Sequence, residues 1–377
     1  MSKHITIITG EVSGDLYGAL LAEQLKDFDP SVRITGIGGE RMRACGVETF
    51  LDSNELSVVG FWEAIVRLPK LRKALEATKR RLSKQRPDLL ILIDYPGFNL
   101  RLAEFARKRG IKVMYYVSPQ VWAWGRNRIN LIKKNVDKMV VILPFEVDLY
   151  HKAGIDVTYV GHPLLDVVRT EMDRKQFFDL LAIPQKMRLV ALFPGSRLNE
   201  VTRHMEPLLK TVPIVRRKLQ DVEFVVATLP NFERLIKDII TRTGESVHIQ
   251  TDNRYEALKH SDVAIVCSGT VTLEAALLDT PAIVIYRLAL FSWAVGKMVV
   301  RVPYISLTNL VAGSKVIPEY VQDAVNPKTL ASETISLLTN ENRRRKMLEH
   351  LKLVRDRLGP PGASRRTAEL ALSLISG

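Results

Sequence analysis

The feature that most restricts this chain is a rhythm. Short apolar, β-branched runs at 5–9, 33–37, 89–94, 112–117, 138–143 and 157–160 alternate with longer stretches of helical spacing. Gly, Pro, Ser and Asp punctuate the junctions and supply helix ends. The run Leu89-Leu90-Ile91-Leu92-Ile93 has no polar face. Such a strand is buried on both sides, which implies a parallel sheet covered by helices. After Gly161-His162-Pro163 the alternation restarts, with strands expected at 189–193, 223–227, 247–250, 263–267 and 282–286. From Pro327 onward only helices are expected. The fold class that follows is α/β, with two doubly wound Rossmann-like domains (1–163 and 164–340) facing across a cleft and C-terminal helices at 341–377. At 377 residues the chain exceeds one simple core and suits two such domains.

Composition narrows the class further. Cys45 and Cys267 lie far apart without a CxxC partner, which argues against a zinc cluster or a disulfide framework and fits a reducing, cytoplasmic compartment. The start of the chain, an apolar strand from His4, lacks the pattern of a signal peptide. The richest apolar segment, 288–302, is broken by Lys297 and Arg301 and falls short of the roughly 18 residues a transmembrane helix needs. The expectation is a protein that is not integral to a membrane. The net charge of +14 attracts polyanions: nucleic acid, anionic lipid or phosphorylated substrates.

In doubly wound sheets, ligands bind beyond the carboxyl ends of strands, so those turns are where chemistry is expected. Gly10-Glu11-Val12-Ser13-Gly14-Asp15 follows the first strand and opens a helix. It is not the GxGxxG fingerprint, and Glu11 and Asp15 oppose a tightly held pyrophosphate. Ser13, Gly14 and Asp15 are candidate cleft residues; the turn reads equally as a tight strand-to-helix junction. Asp94 ends the strand 89–94 and enters Tyr95-Pro96-Gly97-Phe98-Asn99. There it is placed to act as general base toward a hydroxyl, or else as a plain turn former. Asn99, Ser118 and Trp122, the last two within Ser118-Pro119-Gln120-Val121-Trp122-Ala123-Trp124, are further cleft candidates.

The second half carries the stronger signal. Pro194-Gly195-Ser196-Arg197 ends a strand with a small turn and a cation whose donors suit phosphate oxygens. Ser268-Gly269-Thr270 ends another and opens a helix at 271–278, with Glu274 one turn in and able to accept from ribose hydroxyls. Together these turns suggest a diphosphate cradle. A DxD, Asp27-Phe28-Asp29, runs into Pro30 and reads as a helix end, so no metal is expected and the leaving charge falls to Arg197 and helix dipoles.

The basic charge concentrates between Arg67 and Arg86, nine Lys/Arg against Glu76 alone. Val58, Val59, Phe61, Trp62, Ile65, Val66, Leu68 and Leu71 precede or overlap it at mainly helical spacing. That is the pattern of an interfacial membrane helix, and equally of a surface helix covering its own domain. No RRM, KH, zinc-finger or helix-turn-helix signature accompanies the charge, so nucleic acid is not expected as a partner.

As an ordered set these residues resemble the lipid-A-disaccharide synthase family. The set comprises Gly10-Glu11-x-Ser13-Gly14-Asp15, 54–61, Ile93–Asn99, 117–124, Leu143-Pro144-Phe145-Glu146, Gly161-His162-Pro163, Pro194–Arg197, Ser268–Glu274 and Asn309–Gly313. The resemblance implies a GT-B fold and an inverting, metal-free transfer with no cofactor. The family moves 2,3-diacylglucosamine from UDP to 2,3-diacylglucosamine 1-phosphate (lipid X), giving a β(1→6) disaccharide and UDP. By the same resemblance Asp94 matches the base, and Gly195, Ser196, Arg197, Ser268, Gly269, Thr270, Glu274 and Asn309 match the UDP-sugar side. The segment 58–75 matches a membrane-docking region. A homodimer on an anionic membrane surface is implied, peripheral on the cytoplasmic face of the Gram-negative inner membrane. Three positions depart from the family: Gly97 excludes a second acid beside Asp94, Gly125 stands for an Arg, and Thr308 for a Pro. Two alternatives remain open at this point: a UDP-sugar 2-epimerase or other GT-B enzyme, and a nonenzymatic binder of acidic lipid or nucleic acid.

Overall fold

The computed structural model describes residues 3–53, 56, 61–122, 128–289, 293 and 302–376, without the side chains of 12 and 61–67. Val58, Val59, Gly125 and most of 288–302 lie outside them, as do the side chains of Phe61, Trp62, Ile65 and Val66. The chain forms two compact units. One contains Met1–Asp166 and Leu358–Gly377; the other contains Val167–Gly296 and Val302–Arg357.

The first unit is built on a seven-stranded parallel sheet: β1 His4–Ile8, β2 Arg33–Gly38, β3 Glu48–Asp52, β4 Leu89–Ile93, β5 Lys112–Tyr116, β6 Lys138–Val141 and β7 Val157–Tyr159. Their spatial order is β3-β2-β1-β4-β5-β6-β7. All five residues of β4 are completely buried, as the unbroken Leu-Ile run requires. Sequence rhythm missed β3. It is an edge strand with a polar residue at each end and no fully buried side chain, so no apolar run marks it.

Helices follow from the same pattern. Phe61–Gln85 contains Pro69 yet continues through it, and its Leu71, Ala74, Leu75 and Leu82 pack on the core while Leu68 is 54% exposed. Each fully buried Leu or Ile contributes about 1.5–3 kcal/mol relative to exposure. The helix Val12–Phe28 ends where Asp29 accepts from the Ser31 N–H and hydroxyl, so Asp27 and Asp29 are a helix terminus. Ala363–Ser376 packs against Val12–Phe28, β4 and β5.

The second unit holds a six-stranded parallel sheet: β8 Arg188–Phe193, β9 Val222–Ala227, β10 His248–Gln250, β11 Val263–Cys267, β12 Ala282–Tyr286 and β13 Glu319–Val321. Its order is β10-β9-β8-β11-β12-β13. The three-residue β13 is too short to show a period. The segment expected as one C-terminal group, 341–377, is divided: Glu341–Arg357 belongs to this unit and Ala363–Ser376 to the first, because each packs on the helices of its own sheet.

Candidate active site

Strand order decides where each unit can hold a ligand. In the first sheet the chain moves outward from β1 through β2 to β3, then restarts at β4 and moves the other way. The switch point therefore lies between β1 and β4, where neighbouring connections diverge and leave a crevice. The turns after these two strands are the Gly10–Asp15 turn and the Asp94–Asn99 turn. They touch: a Cβ on Gly10 would meet Tyr95 ring carbons at 2.4, 2.6 and 2.8 Å. Only glycine lets that ring lie against the backbone.

Asp94 sits in a backbone held under strain. Asp94, Tyr95 and Val117 have φ of +46°, +48° and +62°. Left-handed backbone costs non-glycine residues on the order of 1–3 kcal/mol each, most for a β-branched one, and persists only where surrounding bonds enforce it. Those bonds are present. The Asp94 N–H donates to the Val117 carbonyl (3.2 Å), and the Val117 N–H to Val140 (3.1 Å). The Asp94 carbonyl accepts from the Tyr115 hydroxyl (2.5 Å) and from Asn99 Nδ2 (2.8 Å). Asn99, fully buried, is thus a clamp on the Asp94 main chain. Gly97 is exposed, and a Cβ there would meet nothing within 4 Å.

The acidic turn divides by role. Asp15 accepts from the N–H groups of Gly39 (2.5 Å), Arg41 (3.1 Å) and Met42 (3.3 Å), so its carboxylate caps the short helix Glu40–Ala44. Ser13 is half-buried in the first turn of its helix, and Gly14 packs on Thr9 and Ile93.

A second group of side chains gathers around Glu146, on the segment that begins after Val117, the acceptor of the Asp94 N–H. Ser118 Oγ and the Tyr150 hydroxyl share a 2.6 Å hydrogen bond, both buried. Trp122 stands edge-on to Phe145 and donates its indole N–H to Glu146 Oε1 at 3.1 Å. The Leu143 N–H donates to Glu146 Oε2 at 3.2 Å. Burial pushes the Glu146 carboxyl up to about 8, helped by the charge of Asp94 and opposed by Trp122, Leu143 and Ser118. Burial also lowers Arg128 and raises Tyr115. Glu146 carries no role in the sequence reading, because nothing local marks an acid after Pro-Phe as buried.

In the second unit the switch point lies between β8 and β11. The turns after them are the two read from sequence, Pro194–Arg197 and Ser268–Thr270. Gly195 has φ +130°, and a Cβ there would come within 2.5 Å of Glu200 Cβ. Arg197 is the N-cap of the helix Leu198–Lys218, its Nη1 3.4 Å from Glu200 Oε1. Glu200 also accepts the Ser196 N–H at 2.9 Å. The Ser196 N–H is therefore engaged by Glu200 within the turn itself. His204, fully buried, accepts the Arg287 N–H at Nε2 (2.9 Å); Nδ1 then carries the proton and donates to the Pro194 carbonyl (2.6 Å). Burial pushes His204 down to about 4. It staples the turn after β8 to the end of β12.

The Ser268 hydroxyl donates to Ile305 and its N–H to Ile285, both protein partners. A Cβ on Gly269 would meet nothing within 4 Å, so backbone approach is open there. Thr270 is half-buried, and Glu274, 6% exposed, follows one turn on. Asn309 uses both amide hydrogens on Ile317 and Glu319, while its carbonyl accepts from Val316 and Ile317. It is a brace for that loop. Thr308 spends its hydroxyl on the Thr272 carbonyl at 2.6 Å, joining this loop to the helix Val271–Leu277.

Two doubly wound parallel sheets, each with polar turns at its switch point, define the GT-B class of α/β enzymes. Solved structures of similar fold include a UDP-GlcNAc 2-epimerase from Neisseria meningitidis bound to UDP-GlcNAc (TM-score 0.68, 12% identity, covering 99% of this chain and 100% of that one). An S. aureus MnaA–UDP structure is also similar (TM-score 0.69, 14% identity, 100% and 98%). The chain belongs to the lipid-A-disaccharide synthetase family, whose model matches residues 5–372. Relatives named lipid-A-disaccharide synthase include those of Syntrophus aciditrophicus, 43% identical over 376 residues (99% of this chain, 98% of the relative), and Geobacter sulfurreducens, 39% identical over 375 (99% and 98%). It is a glycosyltransferase of lipid A biosynthesis, which separates it from epimerases of the same fold.

Proposed function

We propose that this chain transfers 2,3-diacylglucosamine from UDP to the 6-hydroxyl of 2,3-diacylglucosamine 1-phosphate. The acceptor oxygen attacks the anomeric carbon, the anomeric bond to UDP breaks, and the acceptor proton passes to Asp94. UDP departs with its charge balanced by Arg197, without a metal. What carries this reading is Asp94 itself: a half-buried carboxylate on a strained, fully clamped turn at a switch point, within a chain that matches the family almost end to end. Rigid placement of a base is what general-base catalysis demands.

A peripheral position on the inner face of the inner membrane belongs to the same proposal. It is supported by Leu68 and by the exposed Lys70, Arg72, Lys73, Arg80 and Lys84 along the helix Phe61–Gln85. No helix among the described residues is long and apolar enough to cross a membrane. A homodimer through the C-terminal part is proposed on the family resemblance.

The test is incubation with UDP-2,3-diacylglucosamine, with and without lipid X. Acceptor-dependent UDP release together with disaccharide is expected. Equal UDP release without acceptor and no disaccharide would sink the transferase reading.

A further inference from the structure

The turn that carries Asp94 is bordered by a carboxyl to which the transfer reaction assigns no task. Glu146 opens the helix Glu146–Lys152 and is 1% exposed. Every element packed around it contributes a group. The segment after β5 brings the Trp122 indole N–H to Oε1 and places Ser118 beside the carboxyl. The second residue after β6 brings the Leu143 N–H to Oε2. The turn after β4 brings the charge of Asp94, and its own helix brings Tyr150, bonded to Ser118. Beyond Asp94, Tyr115 holds that residue's carbonyl, and Arg128 acts on Tyr115.

Two carboxyls in one poorly solvated region do not both ionise cheaply. The Trp122 and Leu143 donors and the nearby Ser118 hydroxyl favour the Glu146 anion, yet burial and Asp94 outweigh them, and the group is pushed up to about 8. Near pH 7 the protonated form is then the favoured one. A neutral acid still accepts from Trp122 and Leu143 while adding no charge next to a base that must stay ionised.

We infer that Glu146 is a positioning residue: protonated, it ties the Ser118–Trp122 turn beside Asp94, and on losing that proton it sets a second buried anion there and ends the enzyme's working range on the alkaline side. The ion would also demand solvation, drawing the turn away from Asp94, and would repel a phosphate-bearing acceptor. The inference rests on Asp94 being the base of the transfer.

The test follows tryptophan emission and transfer rate of the full chain from about pH 6 to pH 9.5. The signal of Trp122 is taken as wild type minus Trp122→Phe. A step in that signal near pH 8 is expected, with the alkaline limb of the rate at the same midpoint. Glu146→Gln should abolish the step, and its rate, normalised to its own maximum, should stay level within about twofold between pH 7 and 9. Trp122→Phe removes a donor that favours the ion, so its alkaline limb should move upward by about half a pH unit or more; this variant decides the matter if Glu146→Gln does not fold. A step and limb unchanged in Glu146→Gln, or a limb unmoved in Trp122→Phe, would overturn the inference. Absence of any disaccharide from the wild type would instead overturn the transfer reading, and the emission step would then decide this one alone.

Discussion

Gly10 lies against the face of Tyr95 so closely that a single added carbon would overlap three ring atoms, at 2.4, 2.6 and 2.8 Å. The two residues come from different turns, one after β1 and one after β4, and their contact sets the spacing at the first unit's switch point. Tyr95 is anchored at its far end, where its hydroxyl donates to the Leu56 carbonyl at 2.8 Å. The ring has little freedom to yield. Gly10→Ala should therefore destabilise the protein by about 1–3 kcal/mol through overpacking. It should also lower kcat, because Tyr95 and Asp94 share one strained turn. Thermal unfolding and transfer kinetics on the same sample check both; unchanged values would show that the ring moves freely.

Asp94→Asn keeps the shape of the turn while removing its basicity. The Asp94 contacts to Val117, Tyr115 and Asn99 are all made by main-chain atoms, so the fold should survive. The rate should fall at least ~100-fold. Steady-state disaccharide formation, with circular dichroism as the folding control, measures this. A variant retaining most of its rate would remove Asp94 from the base role.

Arg197→Ala should raise the barrier by roughly 2–4 kcal/mol if the guanidinium balances the leaving diphosphate. The loss should appear in kcat/KM, and UDP as a product inhibitor should bind more weakly. Glu200 keeps its bond to the Ser196 N–H, so the turn should hold its form; circular dichroism is the folding control. Unaltered UDP affinity would speak against this assignment.

Two buried histidines make acid stability predictable. Burial pushes His204 to about 4 and His162 to about 3, both from 6.5, and each ring accepts a backbone N–H. A base whose folded value is depressed is protonated first in the unfolded chain. Its stability contribution is therefore present above pH 6.5 and is lost as pH falls toward 4 for His204 and 3 for His162. The full loss is on the order of 3 kcal/mol or more for each. Urea midpoints taken between pH 7 and 4 should fall steadily, and His204→Gln should flatten part of that slope.

Replacing Phe61, Trp62, Ile65 and Val66 by polar residues should weaken sedimentation with anionic vesicles more than it lowers the melting temperature. High salt should remove the contribution of the basic residues and leave any apolar insertion. Equal sedimentation of variant and wild type would move the contact elsewhere.

The strands with unbroken apolar runs were legible because burial on both faces leaves a mark in sequence, as in Leu89–Ile93. Strand order leaves none. The period of β1 or β8 does not say which neighbour lies beside it, so the pairing of the Gly10 turn with the Tyr95 turn emerged only from topology. The same gap hid the supporting residues. Glu146, Glu200 and His204 are ordinary polar residues on helices until their neighbours are known, and their work is done through contacts across the fold. Asp15 carries the reverse lesson: an acid in a glycine turn suggested a ligand, while its oxygens are occupied by the amides of Gly39, Arg41 and Met42.

The helix Ala363–Ser376 belongs to the unit that begins the chain. Its Ala363, Ala368 and Ala371 are fully buried, and Arg366 donates to the Val160 carbonyl at 3.0 and 2.6 Å. On a ribosome, then, the residues made first wait for those made last, while the second unit, complete by Arg357, has all its parts earlier. Trimming the tail would injure the beginning of the protein: a nonsense codon near residue 360 would leave the second unit whole and strip a helix from the sheet that carries Asp94.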